Sequence, residues 1–109
     1  LETLVFQEIK NFIDSENKNL EIYFYRTQLK HEVDFVLYGQ DGFYGIEVKR
    51  SHRLREEDLK SLRIFKEDYP EAKAILLYGG DKILKTDDGI DVLPVQIFLS
   101  EIESRLTSA

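Results

Sequence analysis

The sequence predicts an α/β domain, on three observations. Both ends carry apolar residues at helical spacing, three strand-like segments follow the first helix in close succession, and a later helical segment leads into a short run that is apolar almost throughout. The chain of 109 residues is long enough to bury one core and too short for two, so residues 1–109 form a single domain.

Leu1, Leu4, Val5, Phe6, Ile9, Phe12 and Ile13 recur as on one side of a helix, which sets residues 1–13 as the first element. The polar residues 14–19 end it. Residues 20–26 (LEIYFYR), rich in β-branched and aromatic side chains, read as a strand. A second strand covers about residues 31–38 and a third about 43–49, joined through Gln40, Asp41 and Gly42 as a β-hairpin. In residues 55–69, Leu59, Leu62, Phe65 and Tyr69 return to helical spacing. There Glu56, Glu57 and Asp58 suit the positive end of the helix dipole, and Pro70 is the stop. Residues 72–78 (AKAILLY), closed by Gly79 and Gly80, predict a central strand buried on both faces. Residues 83–85 and 90–93 flank the turn Asp87-Asp88-Gly89 as a small hairpin or extended arm, and Val95, Phe98, Leu99, Ile102 and Leu106 predict a last helix. The order is α-β-β-β-α-β, then a short β segment and a helix.

Composition narrows the chemistry. Without Cys, and with 2 His, the chain has no disulfide framework, thiol nucleophile or Cys-ligated zinc, so a bound metal must be held mainly by oxygen. No window approaches the roughly 18 consecutive apolar residues of a bilayer span, and no signal peptide opens the chain, so a cytoplasmic protein is expected. The chain opens on Leu and contains no Met, which predicts a domain of a longer protein. A net charge of −6 opposes broad, sequence-independent binding to duplex phosphates.

The hairpin carries the candidate site. Simple alternation sets Val33, Phe35 and Leu37 on one face of the second strand and Asp34 with Val36 on the other; in the third strand Glu47 and Lys49 share a face opposite Ile46 and Val48. A loop of Gln40-Asp41 stands Asp34 opposite Glu47, and a loop of Asp41-Gly42 stands it opposite Lys49. Both place the three groups on one face, and a bulge would change that parity. Two carboxylates and an ammonium on one surface suit phosphodiester hydrolysis: Asp34 and Glu47 as ligands of Mg²⁺ or Mn²⁺, the Val48 carbonyl as a further oxygen, and Lys49 to orient the attacking water or stabilise developing charge. On the first helix Glu2 lies roughly 50° from the centre of the apolar face and Glu8 roughly 70° on the other side, which makes Glu2 the better inward carboxylate. The alternative is a cross-strand salt bridge on a half-exposed sheet face.

Asp34, followed by Glu47-Val48-Lys49 and preceded by a Glu-bearing helix, resembles the Asp-x(n)-Glu-x-Lys pattern of PD-(D/E)XK nucleases. More narrowly, LETLVFQEI, YFYRTQLKHEVDFVLYG, GIEVKR, LKSLRIFKEDYP and GIDVLPVQIFL resemble the DUF4143 domain found at the C-terminus of prokaryotic AAA+-type ATPases. The resemblance covers nearly the whole chain. It implies a restriction-endonuclease-like α/β sandwich with a mixed central sheet flanked by helices, and a Mg²⁺-dependent nuclease site at Asp34, Glu47 and Lys49. Val33 stands where the wider nuclease group often has Pro.

Lys49, Arg50, His52, Arg53 and Arg55 place a formal +4 in seven positions and leave −10 for the rest, so this loop is the candidate phosphate patch, the alternative being a solvated basic loop that pairs with Glu56, Glu57 and Asp58. Clustered Arg beside a helix N-terminus opposes the dipole, which favours function over stability there. Arg26 and Lys30 extend the patch unless Glu32 takes them. Tyr23 and Tyr25 are candidates for stacking on bases or for sheet packing, and His52 is either a proton shuttle or an exposed loop residue. The expected function is a metal-dependent phosphodiester hydrolase, a nuclease acting on nucleic acid such as DNA, linked covalently to an ATPase. The alternative is an inactive nuclease-fold module for protein interaction or regulation of that ATPase, which the acidic bulk charge favours.

Overall fold

The computed structural model describes residues 1–107. Helix α1 (Glu2–Ser15) buries Val5, Ile9 and Phe12 along one stripe. Strands β1 (Glu21–Arg26), β2 (Glu32–Gly39) and β3 (Gly42–Val48) then form an antiparallel meander. A 3₁₀ turn (Glu56–Leu59) and helix α2 (Lys60–Asp68) lead into β4 (Lys73–Tyr78), which runs parallel to β3. β5 (Leu84–Lys85) pairs antiparallel with β6 (Asp91–Pro94), β6 lies parallel to β4, and α3 (Val95–Ser100) and α4 (Ile102–Arg105) follow.

The result is a mixed α/β domain around a six-stranded sheet of order β1-β2-β3-β4-β6-β5. β4 is interior, as its apolar run requires: Ile75 and Leu77 join the core under α1, α3 and α4, while Ala74, Leu76 and Tyr78 join the core under α2. Gly45 of β3 makes the second contact close, since a Cβ there would lie 2.5 Å from the Phe65 ring. Tyr25 adds a clasp at the sheet edge: its hydroxyl donates to Asp68 at 2.6 Å and its ring meets Phe65 edge-on at 5.2 Å.

Two expected helices are interrupted. The Asp58 carboxylate accepts the Arg55 N–H at 2.9 Å, which draws the start of the 55–69 segment into a 3₁₀ turn before α2 begins. The last helix breaks at Glu101, where the Ser100 and Ser104 hydroxyls donate back to the carbonyls of Ile97 and Glu101, each at 3.0 Å. Among the described residues no helix is long and apolar enough to cross a membrane.

Candidate active site

The site is built where β2 and β3 leave the hairpin. Gly39 pairs with Gly42 and Phe35 with Ile46, so the loop is Gln40-Asp41; the ladder ends there, and its register carried one step further brings Asp34 level with Glu47. The loop is held from outside by Asp41, whose carboxylate accepts the Asn19 N–H at 2.6 Å.

On its other side β2 is irregular. Tyr23 pairs with Val36 and Tyr25 with Val33, so Phe24 alone opposes both Asp34 and Phe35, a β-bulge. The extra residue resets the alternation. Val33 packs with Val36 in the core under α2, not with Phe35 and Leu37, which pack under α1. This corrects the expected face assignment of β2, which grouped Val33 with Phe35 and Leu37. Ile46 and Val48 pack on the α1 side, leaving Glu47 and Lys49 to the α2 side. Asp34 instead reaches toward β3, its Oδ2 accepting the Val48 N–H at 2.8 Å.

Electrostatics bind the groups together. Glu47 is 5% exposed, and its Oε2 is buried with no hydrogen-bond partner among the described residues. Burial pushes its carboxyl up to about 7, Lys49 works against that, and Asp34 and Asp58 add to it. Asp34 is also raised, first by burial; the Val48 N–H opposes the rise, Glu2 adds to it and Lys49 offsets it. Among the described residues neither carboxylate closes an ion pair with Lys49, which acts on both through its charge.

An oxygen-seeking cation fits part of this donor set. Glu47 offers a buried oxygen that no other described residue satisfies, Asp34 keeps Oδ1 after Oδ2 is used, and two carboxylates with water and phosphate suffice for a Mg²⁺-like ion. Among the described residues no three Asp, Glu or His side chains come together as a metal-holding group. Glu2 is exposed on the first turn of α1 and acts on Asp34 through its charge; Glu8, also exposed, is not among the groups that shift Asp34. Val48 presents its N–H to Asp34.

The basic patch is partly consumed. Arg26 pairs with Glu32 at 3.0 Å and Arg55 with Glu57 at 3.4 Å. Arg50 and Arg53 are exposed and have no ion pair among the described residues. Their loop is tied to the end of β4: the Gly79 N–H donates to the Ser51 carbonyl at 2.9 Å, and His52 Nδ1 lies 2.7 Å from the Gly79 carbonyl. His52 therefore has a holding role. Tyr25 is engaged in packing, and burial together with its bond to Asp68 pushes its hydroxyl up to about 12. Asp87-Asp88-Gly89 is a turn, with Gly89 at φ 88°.

Sequence reasoning raised a bulge as what would change the parity without assigning one to β2, and it missed the recess beside it, lined by Glu2, Thr3, Phe6, Phe24 and Phe35. The available signal was the run VDFVL, apolar on both sides of its single charge, in which period-2 parity cannot be read.

A mixed α/β sandwich with two coupled carboxylates and an amine at the end of its hairpin is the class this chain defines. It belongs to the family described as a domain of unknown function, DUF4143, which matches residues 1–98. No curated protein and no solved structure matches it.

Proposed function

We propose that the domain is a metal-dependent phosphodiester hydrolase acting on nucleic acid. In this reading it is a restriction-endonuclease-like member of the PD-(D/E)XK group, and it serves in the cytoplasm as an accessory domain of an AAA+-type ATPase. The observation that carries the reading is Glu47: a buried carboxylate with an unsatisfied oxygen, raised to about 7 beside Asp34 and Lys49. A stability-driven fold rarely retains such a group, and active sites commonly do.

A bound Mg²⁺ or Mn²⁺ would polarise the phosphate and acidify a water. Asp34 and Glu47 would hold the ion, with the Val48 carbonyl and Glu2 as further oxygens. Lys49 would orient the water, whose hydroxyl goes to phosphorus as the bond to the leaving oxygen breaks and that oxygen takes the proton. Arg50 and Arg53 would hold neighbouring phosphates; Arg26 and Arg55 would contribute only after leaving Glu32 and Glu57.

The second reading, an inactive nuclease-fold module that regulates or docks the ATPase, is favoured by the lack of a three-acid group among the described residues. Incubating the chain with Mn²⁺ and single-stranded, duplex and branched DNA and RNA separates the two. The hydrolase reading expects cleavage that Lys49→Ala abolishes at unchanged melting temperature. No cleavage, together with no metal-dependent rise in melting temperature, leaves the module.

A further inference from the structure

The recess beside Asp34 has a composition unlike the rest of the site. Phe6 and Phe35 line it with ring centroids 5.7 Å apart, and Phe24, 73% exposed, forms its outer wall. Its volume of about 270 Å³ falls just under the roughly 300 Å³ at which sites for drug-sized ligands begin. That is room for one flat ring system.

Its position ties it to the carboxylates. Phe35 follows Asp34 within the bulge, Phe24 is the residue that opposes both, and Glu2 on the rim is close enough for its charge to act on Asp34. No basic side chain lines the recess and Glu2 does, so a phosphate is repelled from it. Arg50 and Arg53, without an ion pair among the described residues, follow the C-terminal end of β3, past the Val48 N–H that Asp34 holds. An aromatic recess with one acid on its rim thus lies beside Asp34, and a short cationic loop follows the strand that carries Glu47. A nucleotide has the same division between base and phosphate.

We propose that the site takes single-stranded nucleic acid, one unpaired base stacking on Phe24 in the Phe6–Phe24–Phe35 recess while adjoining phosphates meet Arg50 and Arg53. This rests on the phosphodiesterase reading and names its substrate class. A base held in a duplex stack cannot enter the recess, and a formal charge of −10 outside residues 49–55 opposes a broad duplex footprint more than it opposes contact with a few phosphates.

Fluorescence anisotropy of the 109-residue chain in Ca²⁺ tests it, using a 12-nucleotide oligothymidylate, its abasic counterpart of equal phosphate count and a 12-base-pair duplex. The oligothymidylate is expected to bind about tenfold more tightly than the abasic strand. Phe24→Ala should erase that difference and Phe24→Trp restore it. Arg50→Ala with Arg53→Ala should weaken both strands and flatten the log–log salt slope by about 1.4. Equal binding of normal and abasic strands, an inert Phe24→Ala, or preference for the duplex overturns the inference. Cleavage with duplex preference would overturn it and leave the hydrolase reading standing; base-dependent binding without cleavage in Mn²⁺ would do the reverse.

Discussion

Glu47 holds its proton to about pH 7 in the folded chain, against 4.5 for an ordinary glutamate, because burial disfavours its charge more than Lys49 restores it. The sign of the linkage follows. Between those values the folded chain binds more protons than the unfolded one, so the contribution of Glu47 to stability is greatest at low pH. It declines as pH rises through the window and is lost above about 7. The size is roughly 3 kcal/mol. Thermal melts in EDTA should therefore show Glu47→Gln matching wild type near pH 4.5 and exceeding it increasingly up to pH 8, where its advantage levels off. A constant difference across that range would mean that Glu47 does not titrate in the fold. At the same scale Asp34 separates two roles. Asp34→Asn keeps an oxygen for the Val48 N–H and should hold stability near wild type while removing metal affinity. Asp34→Ala strands that N–H and should lose about 1–3 kcal/mol in urea titration.

The decisive elements are β2 and α2. The bulge in β2 is where an apolar strand changes faces, and Asp34 lies at the change, so its backbone irregularity and its exposure to β3 have one cause. Helix α2 fixes the opposite side by seating Phe65 on Gly45. Gly45→Ala puts a methyl into the Phe65 ring and should destabilise by about 1–3 kcal/mol; Phe65→Ala empties the same contact and should cost about 3–5 kcal/mol. Chemical denaturation of both single variants and the pair checks the assignment. Because the two residues touch, the double variant should lose less than the sum of the two, and strict additivity would place them in separate contacts.

At the scale of the molecule, ligand binding and stability are linked. If Asp34 and Glu47 hold a divalent ion, Mg²⁺ at a hundredfold excess over its Kd adds about 2.7 kcal/mol. That raises the melting temperature on the order of 10 °C for a domain of this size. Scanning calorimetry with and without Mg²⁺ reads this directly, with Asp34→Asn expected to abolish the rise. The ion would also neutralise the repulsion that Asp34 and Glu47 exert on each other, so wild type should gain most where both are ionised, above pH 7.

The sequence by itself determined the α/β class and the order of its elements, and it put forward Asp34, Glu47 and Lys49 as the candidate set, because hydrophobic period, turn residues and residue type are local properties. It also located Arg50 and Arg53, since charge clustering in a short loop survives folding. Only the tertiary structure decided which way the acids turn. β2 is apolar on both faces, so its alternation admits a bulge without any change of pattern, and pairing with Phe24 of β1 is what selects it. The same pairing, brought together with the start of α1, created the aromatic recess from residues widely separated along the chain, and no local period carries that contact.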